Sequence, residues 1–219
     1  KGRFHHAGRI VAGPVDELAR ENNLHRNLPV LDDWSAVGTY TAEVSHHPAW
    51  REVGRYLYGT GIMGLYSENP VSHGAILTLF YLTAQAGEAG HNCPFACDAG
   101  AIRTLKALGT DKQKIRYLTP LLDPNFDTNN TASQFLTEVQ GGSDVGANAV
   151  VARPQDGDTG PGSIWSIDGE KWFCSNADAD IFVMTARPEG AAAPFEFRAR
   201  SVQRPKSVRP ATFLRRGRR

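Results

Sequence analysis

Hydrophobic residues recur every three to four positions through most of the first 130 residues. This period predicts helical structure over residues 36–66, 72–90, 94–108 and 110–122, because apolar side chains at that spacing line one face of a helix. Residues 72–90 carry apolar side chains around most of the helix, so we expect burial on several sides. Residues 14–20 are a candidate short helix with Pro14 near its first turn. Residues 1–35 as a whole show no clear period, and we expect them to be poorly ordered.

The period changes after residue 130. Short runs rich in β-branched and aromatic residues, separated by Gly, Asn and Asp, are typical of strands. The predicted strands cover residues 135–137, 149–152, 163–167, 172–174 and 181–185. The pair Asp168-Gly169 predicts a tight hairpin between the third and fourth of them. Helices followed by strands predict an α+β protein, with a helical domain over residues 1–130 and a β-barrel or sandwich domain over residues 131–193.

Charge is distributed unevenly along the chain. The net charge is only +1, but residues 195–219 hold nine Lys and Arg against one Glu. The Arg- and Pro-rich segment 194–219 shows neither helical nor strand period, and we expect a disordered basic tail.

The three cysteines form no disulfide framework and favour a reducing, cytoplasmic location. The sequence contains no run of about 18 apolar residues, so no membrane span is predicted. No signal peptide is visible. The chain begins with Lys1, which suggests a fragment.

The loop 137–144 is the first candidate for binding chemistry. Gly141 and Gly142 expose backbone N–H groups, and Thr137 and Ser143 add hydroxyls. Such a turn can donate to the carbonyl edge of a flavin or to a phosphate. The alternative is a hairpin loop in which Ser and Asp cap their own backbone. The loop is not a P-loop, because the Gly-Lys-Ser/Thr ending is missing.

Two further clusters leave alternatives open. Trp172 and Phe173 can stack on a flat ring or belong to a strand core, and the hydroxyl of Ser175 can donate to a ring nitrogen or cap a turn. His91, Cys93 and Cys97 are close in sequence, but three soft ligands without a second Cys/His cluster favour core thiols and a capping histidine over zinc. No metal site is predicted.

Two motifs in order carry a family resemblance. They read Phe-Leu-Thr-Glu-x-x-Gly-Gly-Ser-Asp from residue 135 and Gly-Glu-Lys-x-x-x-Ser-Asn-Ala-x-Ala-Asp from residue 169. This pair resembles the acyl-CoA dehydrogenase family. His47-Pro48-Ala49-Trp50 and the segment 88–94 are most similar to its AidB-like, alkylation-response branch. The resemblance runs from about residue 40 to residue 193.

The resemblance implies an FAD site in the middle domain. Leu136 and Thr137 would contact the isoalloxazine, and Gly142 and Ser143 would lie at the flavin or pyrophosphate side. Ser143 would also lie near the acyl chain of the substrate. Phe173 would take the place of a Trp that stacks on the flavin, and Trp172 would support it. The full set of implied cofactor contacts is Gln134, Phe135, Leu136, Thr137, Gly142, Ser143, Phe173, Cys174 and Ser175.

The family reaction removes two hydrogens from an acyl-CoA thioester. A Glu of a C-terminal helical bundle takes the α-proton, and the flavin takes a hydride. We expect this chain to lack that bundle, so no catalytic residue is assigned and the fragment is expected to be inactive alone. The resemblance also implies a homo-oligomeric full-length protein, and it names neither the acyl chain nor the electron acceptor.

Two functions from other classes stay open beside this one. The chain can be a non-catalytic flavin-binding remnant, or the basic tail can bind nucleic acid. The second is the less expected of the two, because the resemblance places nucleic-acid contacts in the missing domain.

Overall fold

The computed structural model of the chain describes residues 2–88, 90–190 and 200–203. Helices dominate its first part. They are α1 Gly2–Ile10, α2 Asp16–Asn22, α3 Pro48–Tyr58, α4 His73–Ala84, α5 Asn92–Leu108, α6 Asp111–Gln113 and α7 Thr119–Leu122. Segments of π-type, Val11–Val15 and Lys114–Leu118, join α1 to α2 and α6 to α7. No helix in the described part of the chain is long and apolar enough to cross a membrane.

The strands form one hairpin and two small sheets. The strands are β1 Val30–Trp34, β2 Tyr40–Ser45, β3 Ala132–Phe135, β4 Val151–Pro154, β5 Trp165–Asp168, β6 Ile181–Met184, β7 Arg187–Pro188 and β8 Arg200–Gln203. In the first sheet, β6 lies between a parallel β3 and an antiparallel β8. In the second, β4 lies between an antiparallel β5 and a parallel β7. These elements confirm the predicted α+β class, and the described strands close no barrel.

One apolar core joins the helices to the first sheet. It contains Leu57 of α3, Leu79 of α4 and Ile102 of α5, together with Ala132 of β3 and Ile181 of β6. The side chains of all five are fully buried. The strand that leads into the loop 137–144 is therefore anchored on the helical layer.

The expectation that residues 1–35 are poorly ordered is wrong. Helices α1 and α2 pack into the core through a set of small side chains: Ala7, Ile10, Val11, Val15 and Ala19. A kink at Gly13, followed by Pro14, separates the two helices. Alanine and valine give a weak hydrophobic period, and the kink interrupts it, which hid α1 in the pattern. The candidate helix at residues 14–20 overlaps α2. The hairpin of β1 and β2 likewise occupies sequence predicted to be irregular or helical.

Helix α4 is less buried than its composition predicts. Ile76, Leu79 and Thr83 are buried, whereas Leu77 and Tyr81 are 68% and 67% exposed. Ile115, expected to face inward, is 75% exposed. Within the described part of the chain, α4 is therefore buried on one side only, whereas the pattern predicts burial on several sides.

The predicted strand over residues 172–174 does not form. Phe173 and Asn176 adopt left-handed backbone conformations, with φ of 55° and 53°, which no regular strand contains. The predicted hairpin at Asp168-Gly169 is also wrong, because β5 pairs with β4 through the loop 155–164. The predicted strands at 149–152, 163–167 and 181–185 occur with ends shifted by at most two residues. The strand predicted at 135–137 overlaps β3 only at Phe135, because β3 begins three residues earlier.

The basic segment 194–219 is described only at Arg200–Gln203. These residues form β8 on the first sheet, so the expected disorder does not hold for them. The rest of that prediction lies outside the described residues.

Candidate cofactor site

The two sequence motifs lie side by side. The backbone N–H of Trp172 donates to the carbonyl of Thr137 over 2.9 Å, and Lys171 Nζ donates to the carbonyl of Leu136 over 3.3 Å. At the start of β3, the Ser133 hydroxyl donates to the carbonyl of Ser175. The segments that the resemblance assigns to one site therefore form one continuous surface.

A buried ion pair occupies the junction of the motifs. Lys171 Nζ lies 2.7 Å from Glu138 Oε1, and the side chains are 6% and 1% exposed. Glu138 also accepts hydrogen bonds from the backbone N–H groups of Ala149 and Val150, at 2.6 and 3.2 Å, and from Gln140 Nε2 at 2.6 Å. The pair ties both motifs to the start of β4.

Glu138 is held as a carboxylate. Burial alone would raise the pKa of Glu138, but the hydrogen bond from Lys171 and the three other donors outweigh burial and lower the pKa below its usual range. Both carboxylate oxygens are occupied by these donors. Glu138 is therefore suited to holding the loop and unsuited to accepting a substrate proton.

The glycine pair shapes the turn. Glu138 and Gly141 exchange two backbone hydrogen bonds of 3.1 and 3.0 Å. A Cβ atom on Gly142 would lie 2.9 Å from the Thr137 hydroxyl oxygen, closer than such contacts allow. Gly142 and Ser143 are exposed, and Thr137 is half-buried. The turn thus presents an open loop whose backbone passes close to the Thr137 hydroxyl.

Phe173 extends from the second motif into solvent. Its side chain is 76% exposed, and its ring meets the Trp172 ring edge-on at a centroid distance of 5.9 Å. A left-handed conformation is uncommon for a bulky residue, and such strain clusters at functional sites. Neither aromatic side chain belongs to a strand core, so that alternative for Trp172 and Phe173 is wrong.

The remaining predicted contacts differ in accessibility. The amide of Gln134 donates to the carbonyls of Ala96 and Cys97 on α5, and Phe135 is buried against the ring of Phe182. Both side chains are therefore engaged by the protein itself. Leu136 and Cys174 are half-buried, and Ser175 is exposed with its N–H on the carbonyl of Phe173.

A ring stack connects the helical domain to the second motif. The ring of Trp50 lies between those of His46 and His91, with centroid distances of 3.9 and 4.5 Å. His46 Nε2 lies 3.2 Å from Asp178 Oδ2, in the Asn-Ala-Asp part of the motif. The sequence motif containing Trp50 signalled family membership but not this contact, because the two segments are distant in sequence.

Asp98 is a second buried connection that sequence reasoning missed. Its carboxylate accepts from the Tyr58 hydroxyl over 2.8 Å and from the backbone N–H of Ala132 over 2.6 Å, joining α5 to α3 and β3. Burial, only partly opposed by these hydrogen bonds, raises the pKa of Asp98 to about 8. An isolated Asp within a helix gives no signal of this role in the sequence.

At the start of α5, the His91 ring is engaged away from Cys93 and Cys97. His91 Nε2 lies 2.7 Å from the carbonyl of Trp50, and burial lowers the pKa of His91 to about 4. Its side chain makes no cap for α5. Throughout the described residues, no group of three or more His, Cys, Asp and Glu side chains is arranged to hold a metal ion.

Comparison with solved structures identifies the fold. The apo form of Bd2924 matches 88% of this chain with a TM-score of 0.77 at 26% identity, over 38% of its own length. *Caenorhabditis elegans* ACDH-11 in complex with C11-CoA matches with a TM-score of 0.67 at 24% identity, over 32% of its length. Butyryl-CoA dehydrogenase from *Megasphaera elsdenii* gives 0.61 at 17% identity, over 43% of its length.

Sequence comparison identifies the family. Acyl-CoA dehydrogenase family member 11 of *Caenorhabditis elegans* is 27% identical over 189 residues, which is 82% of this chain and 29% of that protein. The model of the adaptive response protein AidB N-terminal domain matches residues 1–128, and that of the acyl-CoA dehydrogenase middle domain matches residues 133–203. The second match extends the resemblance ten residues past the predicted limit of 193. The chain belongs to the AidB-like branch of the acyl-CoA dehydrogenase family.

Proposed function

We propose that this chain carries the flavin-binding surface of an FAD-dependent oxidoreductase that dehydrogenates an acyl-CoA thioester. The observation that carries the proposal is the junction of the two motifs. There, Lys171 and Trp172 hold the segment bearing Phe173 against the strand end bearing Thr137. The substrate class is supported by the solved structures of ACDH-11 in complex with C11-CoA and of butyryl-CoA dehydrogenase.

The residues at this junction suit a flat, polar-edged ring system. Phe173 offers an exposed apolar face, and Thr137 and Ser175 offer hydroxyls for a polar edge. Gly142 offers a backbone N–H on the open turn. When bound, FAD supplies the redox chemistry, and the protein supplies binding and orientation. Because their side chains are already engaged, we expect Gln134 and Phe135 to contribute through their backbone.

Substrate contact is proposed for Ser143, which is exposed on the same turn. No described residue is proposed as the catalytic base, because Glu138 is fully engaged by its four donors. We therefore propose that this chain alone binds flavin without turning over substrate.

Titration of the purified chain with FAD tests the proposal. We expect quenching of flavin fluorescence and weak binding, because the proposed contacts reach only the ring system and the pyrophosphate side. A sub-micromolar dissociation constant would contradict the expected weakness. An FAD spectrum that stays identical to that of free FAD at every protein concentration would overturn the flavin site.

Matched variants locate the binding. Thr137→Val and Phe173→Ala should each weaken FAD binding about tenfold, the effect of losing roughly 1.4 kcal/mol of contact. Ile164→Ala, on the equally exposed β4–β5 loop, should leave binding unchanged. Equal losses in all three variants would place the flavin elsewhere.

Acyl-CoA addition separates the two flavin functions. Bleaching of the bound flavin would show that this chain suffices for dehydrogenation, whereas binding without bleaching supports the flavin-binding surface alone. Salt-sensitive DNA binding that disappears on deletion of residues 195–219 would instead support the nucleic-acid function of the basic segment.

A further inference from the structure

A pair of thiols lies on α5, outside the candidate cofactor site. Cys93 and Cys97 are four residues apart in this helix, which puts them on one face. Cys93 is exposed and Cys97 is half-buried, and neither forms a disulfide. At this spacing the two Cβ atoms lie about 5–6 Å apart. The helix therefore presents two adjacent sulfur donors before any ligand binds.

The side chains around this pair limit the coordination number to two. His91 is turned toward Trp50, with its ring stacked and its Nε2 on a carbonyl. The neighbouring Asp98 carboxylate is occupied by its two donors. Among the described residues no third Cys, His or acidic side chain completes a metal-binding group with the two thiols.

Two thiolates without further ligands favour a soft ion. Zinc in structural sites takes four ligands, so this pair suits it poorly. Thiolates select Cu(I) among the common soft ions. Two metal–sulfur bonds of about 2.3 Å in line span roughly 4.6 Å, and side chains four apart on a helix have Cβ atoms about 5–6 Å apart. The sulfurs can reach opposite sides of one ion without a change in the helix.

We propose that Cys93 and Cys97 form a two-coordinate site for a soft monovalent metal ion, with Cu(I) as the probe. Two S–H bonds break, two Cu–S bonds form, and two protons leave, while copper and sulfur keep their oxidation states. This site does not rest on the proposed flavin function.

Proton release gives the site a pH dependence. Each thiol must lose its proton to bind the ion as a thiolate. The ion must displace that proton, and the apparent affinity should therefore rise with pH.

Transfer of Cu(I) from a chromophoric chelator to the reduced full chain, without oxygen, tests the proposal. We expect one Cu(I) per chain, tighter binding at pH 8 than at pH 6, and an ultraviolet thiolate-to-copper absorption band. Cys93→Ser and Cys97→Ser should each weaken binding by about 100-fold. In the wild type the second thiolate is held close to an ion already bound by the first, and this high effective concentration is lost when only one thiolate remains. Cys93 is exposed, so its variant should fold normally, and circular dichroism checks this.

Cys174→Ser is the matched control, since this third thiol lies in the second motif, and it should bind copper like the wild type. The proposal is overturned if no copper transfers. It is equally overturned if Cys93→Ser retains wild-type affinity, or if Cys174→Ser loses as much as the α5 variants. Zn²⁺ binding of equal strength that depends on the same two cysteines would contradict a two-coordinate site.

Discussion

Glu138 and Lys171 form a buried ion pair that contributes to stability only when both charged side chains are present. Desolvation of two charges is costly, and the pair is tolerated because hydrogen bonds satisfy the remaining oxygens of Glu138. Removal of one partner leaves the other charge buried and uncompensated. This residue-scale arrangement explains why both motifs need their charged member.

Replacement of Lys171 by Met tests the pair. We expect a loss of about 3 kcal/mol in the free energy of unfolding at pH 7, at the lower end for broken buried pairs because Glu138 keeps three neutral donors. Urea denaturation measures the loss. Lys112→Met, at an exposed position on α6, should change stability by less than about 0.5 kcal/mol.

The loss should also depend on pH. Because the folded pKa of Glu138 lies below its usual value, its stabilisation is complete above the unfolded pKa and is lost as pH falls through the folded pKa. The difference between wild type and Lys171→Met should therefore shrink below about pH 4.3. An unchanged difference under acid conditions would show that lost packing, rather than lost charge, causes the effect.

The contribution of Asp98 to stability depends on pH in the opposite direction. Its folded pKa of about 8 exceeds the unfolded value, so its contribution is fully present below the unfolded pKa and is lost as pH rises to the folded pKa. Asn resembles the protonated form, since its carbonyl can accept from Ala132 and its amide can donate to Tyr58. Asp98→Asn should match the wild type near pH 4.

Above pH 4, the free energy of unfolding of Asp98→Asn should exceed that of the wild type by roughly 1 kcal/mol more for each pH unit, up to about pH 8. Urea denaturation at several pH values measures this gain. Parallel pH profiles for the two proteins would show that Asp98 is ionised in the folded state throughout this range.

At the scale of elements, the segment after β5 turns away from strand geometry to present Phe173. A left-handed conformation costs a non-glycine residue about 1–2 kcal/mol, and the 76% exposed ring returns little burial energy. The neighbouring hydrogen bonds, from Trp172 to Thr137 and from Ser133 to Ser175, hold the segment in place.

Phe173→Gly should separate stability from binding. Glycine relieves the left-handed strain but makes the unfolded chain more flexible, so the two effects largely offset and stability should change by less than about 1 kcal/mol. FAD binding should weaken. Ile164→Gly, equally exposed but with ordinary backbone geometry, should lower stability and leave FAD binding intact. A marked loss of stability in Phe173→Gly would mean that the ring packs within the fold.

At the scale of the whole molecule, the outer face of α4 leaves large apolar side chains open to solvent. Leu77 and Tyr81 are four residues apart and mostly exposed on that face. Exposed apolar patches mark interaction surfaces or cause association. The chain spans 29% of its curated relative's length, and the α4 face is one of the surfaces where the described part of the chain exposes large apolar side chains.

The double variant Leu77→Gln and Tyr81→Gln should reduce concentration-dependent association of the isolated chain, as measured by sedimentation velocity. Its free energy of unfolding should stay within about 1 kcal/mol of the wild type, because exposed side chains contribute little burial. Lys112→Gln, on a polar exposed surface, should leave association unchanged. Equal association in the double variant would exclude the α4 face.

Local signals accounted for much of the fold. The apolar period predicted α5 nearly to its ends, and Thr110 with Gln113 forms a capping box of the kind that spacing reveals. The pattern failed at α1, where small core residues and a kink at Gly13 gave little contrast, and it indicated α2 only as a short candidate helix. The pattern also failed at residues 172–174, which it predicted to be a strand. Hydrogen bonds to residues distant in the chain hold this segment, and Phe173 has a left-handed backbone conformation there.

The sequence by itself determined that a helical part precedes a part made of strands, the two motifs, and through them the family, since these depend on neighbouring residues and spacing. Only the tertiary structure decided which face of α4 is covered, that Glu138 pairs with Lys171, that His46 contacts Asp178 of the second motif, and that Asp98 connects α5 to α3 and β3. Each of these contacts joins residues far apart in the chain. The energy of these contacts depends on how deeply the groups are buried and on whether each polar atom has a hydrogen-bond partner. Both are determined only when the chain folds.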